Sequence, residues 1–344
     1  MKQHYNTVGQ KTKEELILIP IDVTVVFWYN KHIMDIGIVR EKRARGLDLR
    51  VVLLPPEVGR LVNKGHRVFV EKNAGRKIFI YDGEYKKAGA IIKESSEVYN
   101  KDIVVTLKFP TPKELAMMKN SNIVFCMVHA QQSPINIAML KKYKLRAIAM
   151  EQIVNPAGER LINCTRMSGE QAMILAFKKA LRSPRDCSIL CLGYGEIATG
   201  ALSVAFSLGA QIKILRKCEY QFIKHHLKNK DMVINGICWP KEYRDKKNHL
   251  ITKDMLKLLN PGGVILDLSV DFPGPIETTR PTQLDKPSYV VDGITHICIY
   301  GYPGLSPLSS SRRYSKQILP ILLEIANKGL TNLPSYIKKS TIIP

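Results

Sequence analysis

The sequence has no apolar run long enough to cross a bilayer. The run from Leu16 to Trp28 is too short, is interrupted by Asp22 and follows Glu14 and Glu15. It also lacks a small-residue cleavage site, so neither a membrane span nor a secretory leader is expected. The seven cysteines are odd in number, with no CxxC pair and no Cys/His grouping, which speaks against a disulfide scaffold and a zinc site. Cys126, Cys187, Cys191 and Cys238 lie in or beside apolar runs, where thiols act as small core residues, and a reduced, cytoplasmic compartment is expected. Internal repeats and low-complexity tracts are missing, which argues against a solenoid. Acidic residues are few: 30 against 52 lysines and arginines leave a formal net charge of +22 at pH 7. The basic residues are scattered. Short clusters such as Arg40 to Arg45 and Lys141 to Arg146 lack the interleaved aromatics of a nucleic-acid platform, so no nucleic-acid partner is expected. The charge reads as a solvated, lysine-rich surface that exerts a modest pull on phosphates and carboxylates.

The 344 residues suffice for two domains, each with its own core. The most informative stretch is SILCLGYGEIATGALSVAFSLGAQIKILR, Ser188 to Arg216. A short apolar strand runs into Gly193 and Gly195, an apolar helix follows and stops at Gly209, and Gln211 to Leu215 reads as the next strand. This is GxGxxA inside a βαβ unit, the context that turns a weak glycine pattern into a dinucleotide fingerprint. Gly193 permits the turn, Gly195 lets a pyrophosphate approach the backbone, and Ala198 allows close helix–strand packing. The helix N-terminus offers free N–H groups to the phosphates.

From Met34 onward, strand and helix patterns alternate. MDIGIVR, HRVFVEK, AII, DIVVTLK, NIVFCMV and RAIAM read as strands; PPEVGRLVNKG, PTPKELAMMK and PINIAMLKKY read as helices. The expected fold is α/β, two Rossmann-like domains with a cofactor and substrate cleft between them. SGEQAMILAFKKAL, with Ser168 as its N-cap, leads into the nucleotide unit, to which DMVIN, GGVILDLSV and SYVV add strands. Ser311 to Lys328 reads as a helix that returns to the first domain. The expected division is a substrate domain over residues 34–167 plus 300–344 and an NAD(P)-binding domain over 168–299. Residues 1–33 form an extension of unknown role, or else an edge strand, and the final PSYIKKSTIIP reads as a mobile tail.

From MDIGIVREKRARGLDLRVVLLPPEVGRLVNKGHRVFVEKNAG onward, the chain resembles the alanine dehydrogenase and transhydrogenase alpha-subunit family. DIVVTLKFP, IVFCMVHA, IAMEQI, the GxGxxA unit, LDLSVDFPGPIETTRPT and VVDGITHICIYGYPG follow in that family's order. The resemblance implies a nicotinamide-dependent oxidoreductase acting on a C–N bond, hydride transfer to or from the imine of a 2-oxo acid, and a homo-oligomer. It matches Arg50 to a substrate-carboxylate arginine, Lys108 to a substrate-binding lysine, His129 to the catalytic histidine and Asp271 to the aspartate beside the nicotinamide. Independently, Lys108 and His129 end apolar strands, where open α/β sheets place their crevices. Asp271 alternatively caps a turn before Pro273.

Three departures refine this reading. The link LRSPRD is short, as in the saccharopine dehydrogenase and carboxyethylornithine synthase branches, which join an amino acid to a 2-oxo acid. MEQIVNPAGERL resembles the saccharopine enzyme too, matching Glu151 and Arg160 to its substrate-binding acid and arginine; the alternative is a salt-bridged loop. Phe109 stands where the family has an acid after the lysine, and Tyr302 where it has an asparagine before Pro303. Arg216 and Lys217 follow the second nucleotide strand, where NAD enzymes carry an aspartate, so NADP is preferred over NAD. The leading expectation is an amino-acid dehydrogenase. The rival is reductive condensation of a 2-oxo acid with a basic amino acid. A third reading, a non-catalytic nucleotide-binding subunit like the transhydrogenase alpha chain, lacks that chain's Arg-Gln-Asp loop.

Overall fold

A computed structural model describes residues 33–41, 48–130, 133–244 and 248–343. The expectations for 1–32 and for most of the Arg40 to Arg45 cluster lie outside these residues.

The strands are β1 (Asp35–Ile38), β2 (Arg67–Glu71), β3 (Ile91–Lys93), β4 (Ile103–Lys108), β5 (Ile123–Met127), β6 (Arg146–Ala149), β7 (Ser188–Leu192), β8 (Gln211–Leu215), β9 (Met232–Asn235), β10 (Val264–Asp267), β11 (Ser288–Val291), β12 (Ile294–Ile297) and β13 (Thr341–Ile342). The longer helices are α1 (Pro55–Asn63), α2 (Pro134–Lys142), α3 (Thr165–Lys179), α4 (Glu196–Ser207) and α5 (Pro307–Lys328). Two sheets form, in the orders β13-β6-β5-β4-β1-β2-β3 and β11-β12-β10-β9-β7-β8. All neighbours are parallel except β13 on β6 and β11 on β12. Parallel strands covered on both faces are mainly apolar, and β5 and β10 are buried almost end to end.

In the first sheet the strand order reverses between β1 and β4, and in the second between β7 and β9. These switch points open crevices at the carboxyl ends of the strands, where doubly wound folds bind their ligands.

One core joins Ile36, Leu53, Ile103 and Phe125 to Tyr314, Ile318, Leu322 and Ile325 of α5. A second joins Ala172 and Ala176 of α3 to Ile189, Ala201, Ile234 and Tyr302. Helices α3 and α4 cross so closely that a Cβ on Gly169 would overlap the Ile197 carbonyl oxygen, and one on Gly200 that of Arg166. Serines of α5 also fasten the loop after Arg50. Ser311 Oγ accepts from Val51 N–H (3.0 Å), while Ser315 Oγ accepts from Leu54 N–H (2.8 Å) and donates to Glu57 (2.6 Å).

Two local expectations change. Helix α3 begins at Thr165, so Ser168 lies inside it; its hydroxyl bonds back to the Cys164 carbonyl (2.8 Å) rather than capping the helix. The C-terminal stretch is not a loose tail. Ile337 is fully buried, and β13 pairs antiparallel with β6, extended by Ala149 N–H donating to the Ser340 carbonyl (2.9 Å). One inserted isoleucine and an edge pairing tie down a chain end that would otherwise be loose. Among the described residues no helix is long and apolar enough to cross a membrane.

Candidate active site

The first sheet presents Lys108 at the end of β4 and His129 two residues beyond β5. Lys108 Nζ stands 4.8 Å from the centroid of the Tyr300 ring, which follows β12, so this side chain spans from one sheet to the other. His129 has φ +52, a left-handed conformation uncommon outside glycine. Glu151 holds it there. Its carboxylate accepts from His129 N–H (2.6 Å) and Val128 N–H (3.0 Å), and Ser133 N–H closes the turn on the His129 carbonyl (2.8 Å). Glu151 thus acts as a backbone clamp beneath the histidine. Burial pushes the His129 imidazole below its ordinary value; the Glu151 charge works the other way, and the Lys108 and Arg160 charges push it further down. The imidazole is therefore neutral near pH 7.

Arg50 is buried, 3 % exposed, and its Nε and Nη2 form a fork with Asp48 at 2.8 and 2.6 Å. Burial disfavours the cation, but the paired Asp48 carboxylate outweighs it and holds Arg50 above its ordinary value. Breaking such a pair costs about 3–5 kcal/mol, so the two residues behave as one fixed unit. Arg160 ends a small hairpin bridged to Val154. It lines a cavity of about 590 Å³ with Glu159, Asn163, Thr165 and Glu196. Glu196 is the first residue of α4, so this cavity lies between the hairpin and the glycine turn of the second sheet.

On that sheet, Gly193 has φ +83, and a Cβ there would stand 2.5 Å from Ile237 Cγ2. A Cβ on Gly195 would meet nothing within 4 Å, so the space a pyrophosphate needs is open. Ala198 is buried, and its own Cβ lies where a Cβ on Gly236, at the end of β9, would come within 2.7 Å. The turn, the approach and the close packing required by a dinucleotide are all provided. Beside it, Tyr194, Ile214, Ile237, Trp239, Pro240 and Tyr243 line a second cavity of about 590 Å³. Arg216 and Lys217 stand at its rim, both exposed. An apolar slot for an adenine with cations at the ribose end fits a nicotinamide dinucleotide.

Asp271 is held by Trp239 N–H (2.7 Å) on one oxygen and by Arg244 (2.7 Å) on the other. Burial raises its pKa against these two partners. The turn before it contains Val270 at φ +59, a strained position for a β-branched residue. Buried Asp267 steadies that turn, accepting from the N–H groups of Ser269 (3.1 Å) and Val270 (3.3 Å). Among the described residues no group of His, Cys, Asp or Glu is arranged to hold a metal.

Lys108, His129, Glu151 and Arg160 therefore share one electrostatic neighbourhood, and Gly193, Arg216 and Lys217 share one cavity. Sequence reasoning missed Asp48, Glu41, Tyr300 and Arg244. The first is signalled by its i, i+2 spacing to Arg50; the others carry no local signal. Glu41, just after β1, is buried, and its pKa is pushed up to about 7 by burial and then by Asp48, against the Leu107 N–H bond, the Arg50 charge and the Thr106 hydroxyl. Its stabilising contribution is complete below the ordinary carboxylate range and is lost as pH rises through about 7, on the order of 3 kcal/mol. Denaturant titrations from pH 4.5 to 8 should show this slope in the wild type and not in Glu41→Gln; parallel curves would refute it.

Two domain models match the chain, "Alanine dehydrogenase/PNT, N-terminal domain" over residues 37–170 and "Alanine dehydrogenase/PNT, C-terminal domain" over residues 215–339. An alanine dehydrogenase of Staphylococcus epidermidis is 30% identical over 333 residues, covering 86% of this chain and 88% of that protein. Alanine dehydrogenase 2 of Staphylococcus aureus is 30% identical over 334 residues with the same coverage. A solved L-alanine dehydrogenase superposes with a TM-score of 0.79 at 24% identity, covering 90% of this chain and 94% of that one. A transhydrogenase from Sinorhizobium meliloti gives 0.73 at 22% identity, covering 84% and 93%. These two likenesses concern the fold. The paired domain models and the 30% identity over most of the length place the chain in the alanine dehydrogenase/PNT family of oxidoreductases, and it belongs to that family.

Proposed function

We propose that the protein is a nicotinamide-dependent amino-acid dehydrogenase that interconverts a 2-oxo acid and an amine with the corresponding amino acid, preferring NADP(H). The observation that carries the reading is the grouping of Lys108 and His129 at the strand ends of one sheet, with Lys108 reaching to Tyr300 beside the other. Residues 34–167 with 300–344 would form the substrate unit, and 168–299 the nucleotide unit.

Bound nicotinamide would supply or accept the hydride. The glycine turn and the N-terminus of α4 would hold its pyrophosphate, Arg216 and Lys217 a 2′-phosphate. Asp48 occupies the Nε and Nη2 edge of Arg50, so a substrate carboxylate would take the Nη1 side, in a geometry the ion pair fixes beforehand. Lys108 would polarise the oxo group through its ammonium. His129, uncharged near neutrality, would take a proton from the attacking amine and return it to the departing hydroxyl as the imine forms. Asp271, tied to Trp239 and Arg244, would border the nicotinamide.

A second reading, in which the amine is itself an amino acid, is favoured by the polar cavity around Arg160 and Glu196, which offers a cation to a second carboxylate and an anion to an ammonium. A panel of NADPH or NADH with pyruvate or 2-oxoglutarate and with ammonia, lysine or ornithine tests both. Oxidation of NADPH with ammonia supports the first reading; oxidation that requires lysine or ornithine supports the second. No oxidation with any pair would overturn both.

A further inference from the structure

Pairing between β1 and β4 runs through Ile36 with Ile103, Gly37 with Val104 and Ile38 with Val105, and then stops. Strand β4 continues to Lys108, and on its other side the register with β5 shifts between Val105 and Lys108, so that Lys108 lies opposite Met127. Bulges of this kind re-aim side chains, and a slip of one residue turns a side chain to the opposite face. The last residues of β4 thus extend past their β1 partner at the point where the register is irregular. Their N–H groups, if left unpaired in a buried site, would each cost about 1–3 kcal/mol.

Glu41 fills that gap. It is 5 % exposed. Oε1 accepts from Leu107 N–H (2.5 Å) and the Thr106 hydroxyl (3.0 Å), and Oε2 accepts from Lys108 N–H (3.3 Å). The Thr106 hydroxyl also lies 3.2 Å from the Lys108 carbonyl. The same device recurs where Glu151 holds His129 and where Asp267 holds the turn before Asp271.

We propose that Glu41 is a positioning residue: it takes the place of the missing β1 partner, sets the bulged end of β4 and so aims the Lys108 side chain across the cleft toward Tyr300. The bearing of this on turnover rests on the role proposed above for Lys108; the aim of the side chain does not. In Glu41→Gln the amide oxygen still serves Leu107, but the NH₂ opposes Lys108 N–H, so the fault falls on Lys108 itself.

The test uses the full chain without substrate at about pH 9, above the Glu41 pKa of about 7, where its carboxylate is ionised. Trace acetylation with acetic anhydride, read by mass spectrometry of the Lys108 peptide, measures how accessible and how well held that amine is, with Lys93 as internal reference. In Glu41→Gln the Lys108 labelling rate should change severalfold while Lys93 does not. With whichever substrate pair turns over, kcat should fall about tenfold at unchanged cofactor KM. If Glu41→Gln does not fold, Glu41→Asp keeps the charge but withdraws it from Lys108 N–H and should give the same labelling change. Lys108 labelling equal to wild type, with a lower melting temperature as the sole effect, makes Glu41 a core residue and overturns the proposal. A wild type that turns over no substrate pair refutes the dehydrogenase reading, yet the labelling experiment still decides the role of Glu41.

Discussion

Replacing His129 with alanine is expected to lower kcat by about 100-fold or more, with dinucleotide affinity held within about twofold. The asymmetry follows from the structure. The proposed dinucleotide site surrounds Gly193 to Ala198 and the cavity bordered by Arg216, whereas His129 belongs to the other sheet and is fixed through its own backbone by Glu151. Removing the imidazole leaves that clamp intact. Turnover in the amine-oxidising direction, which needs the neutral base, should persist as pH falls to the ordinary histidine range and decline only below it, because the folded-state pKa is lowered. Steady-state kinetics from pH 5 to 9, with fluorescence titration of NADPH, measures both effects. Undiminished kcat in His129→Ala would refute the catalytic role and favour a nucleotide-binding subunit without chemistry of its own.

Arg216→Asp is expected to reverse the cofactor preference. Arg216 follows β8 directly and is exposed at the rim of the cavity, and its N–H is anchored to the Glu219 carboxylate (2.9 Å), so the residue is presented in a fixed direction. A charge-assisted bond to a 2′-phosphate is worth about 1.5–3 kcal/mol, which corresponds to a loss of about 10- to 100-fold in NADPH affinity. An aspartate would instead accept from the ribose hydroxyls of NADH and repel the phosphate, adding to the change in ratio. The ratio of kcat/KM for NADPH and NADH in the two proteins decides the matter. An unchanged ratio would remove Arg216 from cofactor recognition; a wild type that already prefers NADH would refute the NADP preference.

Much of the architecture was legible because of how parallel sheets are covered. Ile103–Lys108 and Ile123–Met127 are buried along nearly their whole length, so each reads as a mainly apolar run, and the alternation with helices implied the parallel order. Gly193 was legible for a steric reason: its φ of +83 and the approach of Ile237 leave no room for a side chain. The role of Glu41 was not legible. Within REKRAR a glutamate reads as one more surface charge, and it becomes an acceptor only because β1 ends before β4 does. Ser168 misled for a related reason: a serine ahead of an apolar helix looks like a cap, yet the helix had already begun at Thr165. The C-terminal stretch was read as a tail from its place at the end of the sequence, but burial of Ile337 and pairing with β6 depend on a strand nearly two hundred residues away in the chain.

The sequence by itself determined the α/β class, the βαβ unit with its glycine turn and the basic residue Arg216 that follows it, because these rest on local periodicity, glycine sterics and residue order. Only the tertiary structure decided which charged partners meet the candidate site residues from afar: Glu41 on Lys108, Glu151 on His129, Arg244 on Asp271. Hydrogen bonds and pKa shifts of this kind depend on distance and burial. Neither is encoded in spacing along the chain once the partners come from different strands.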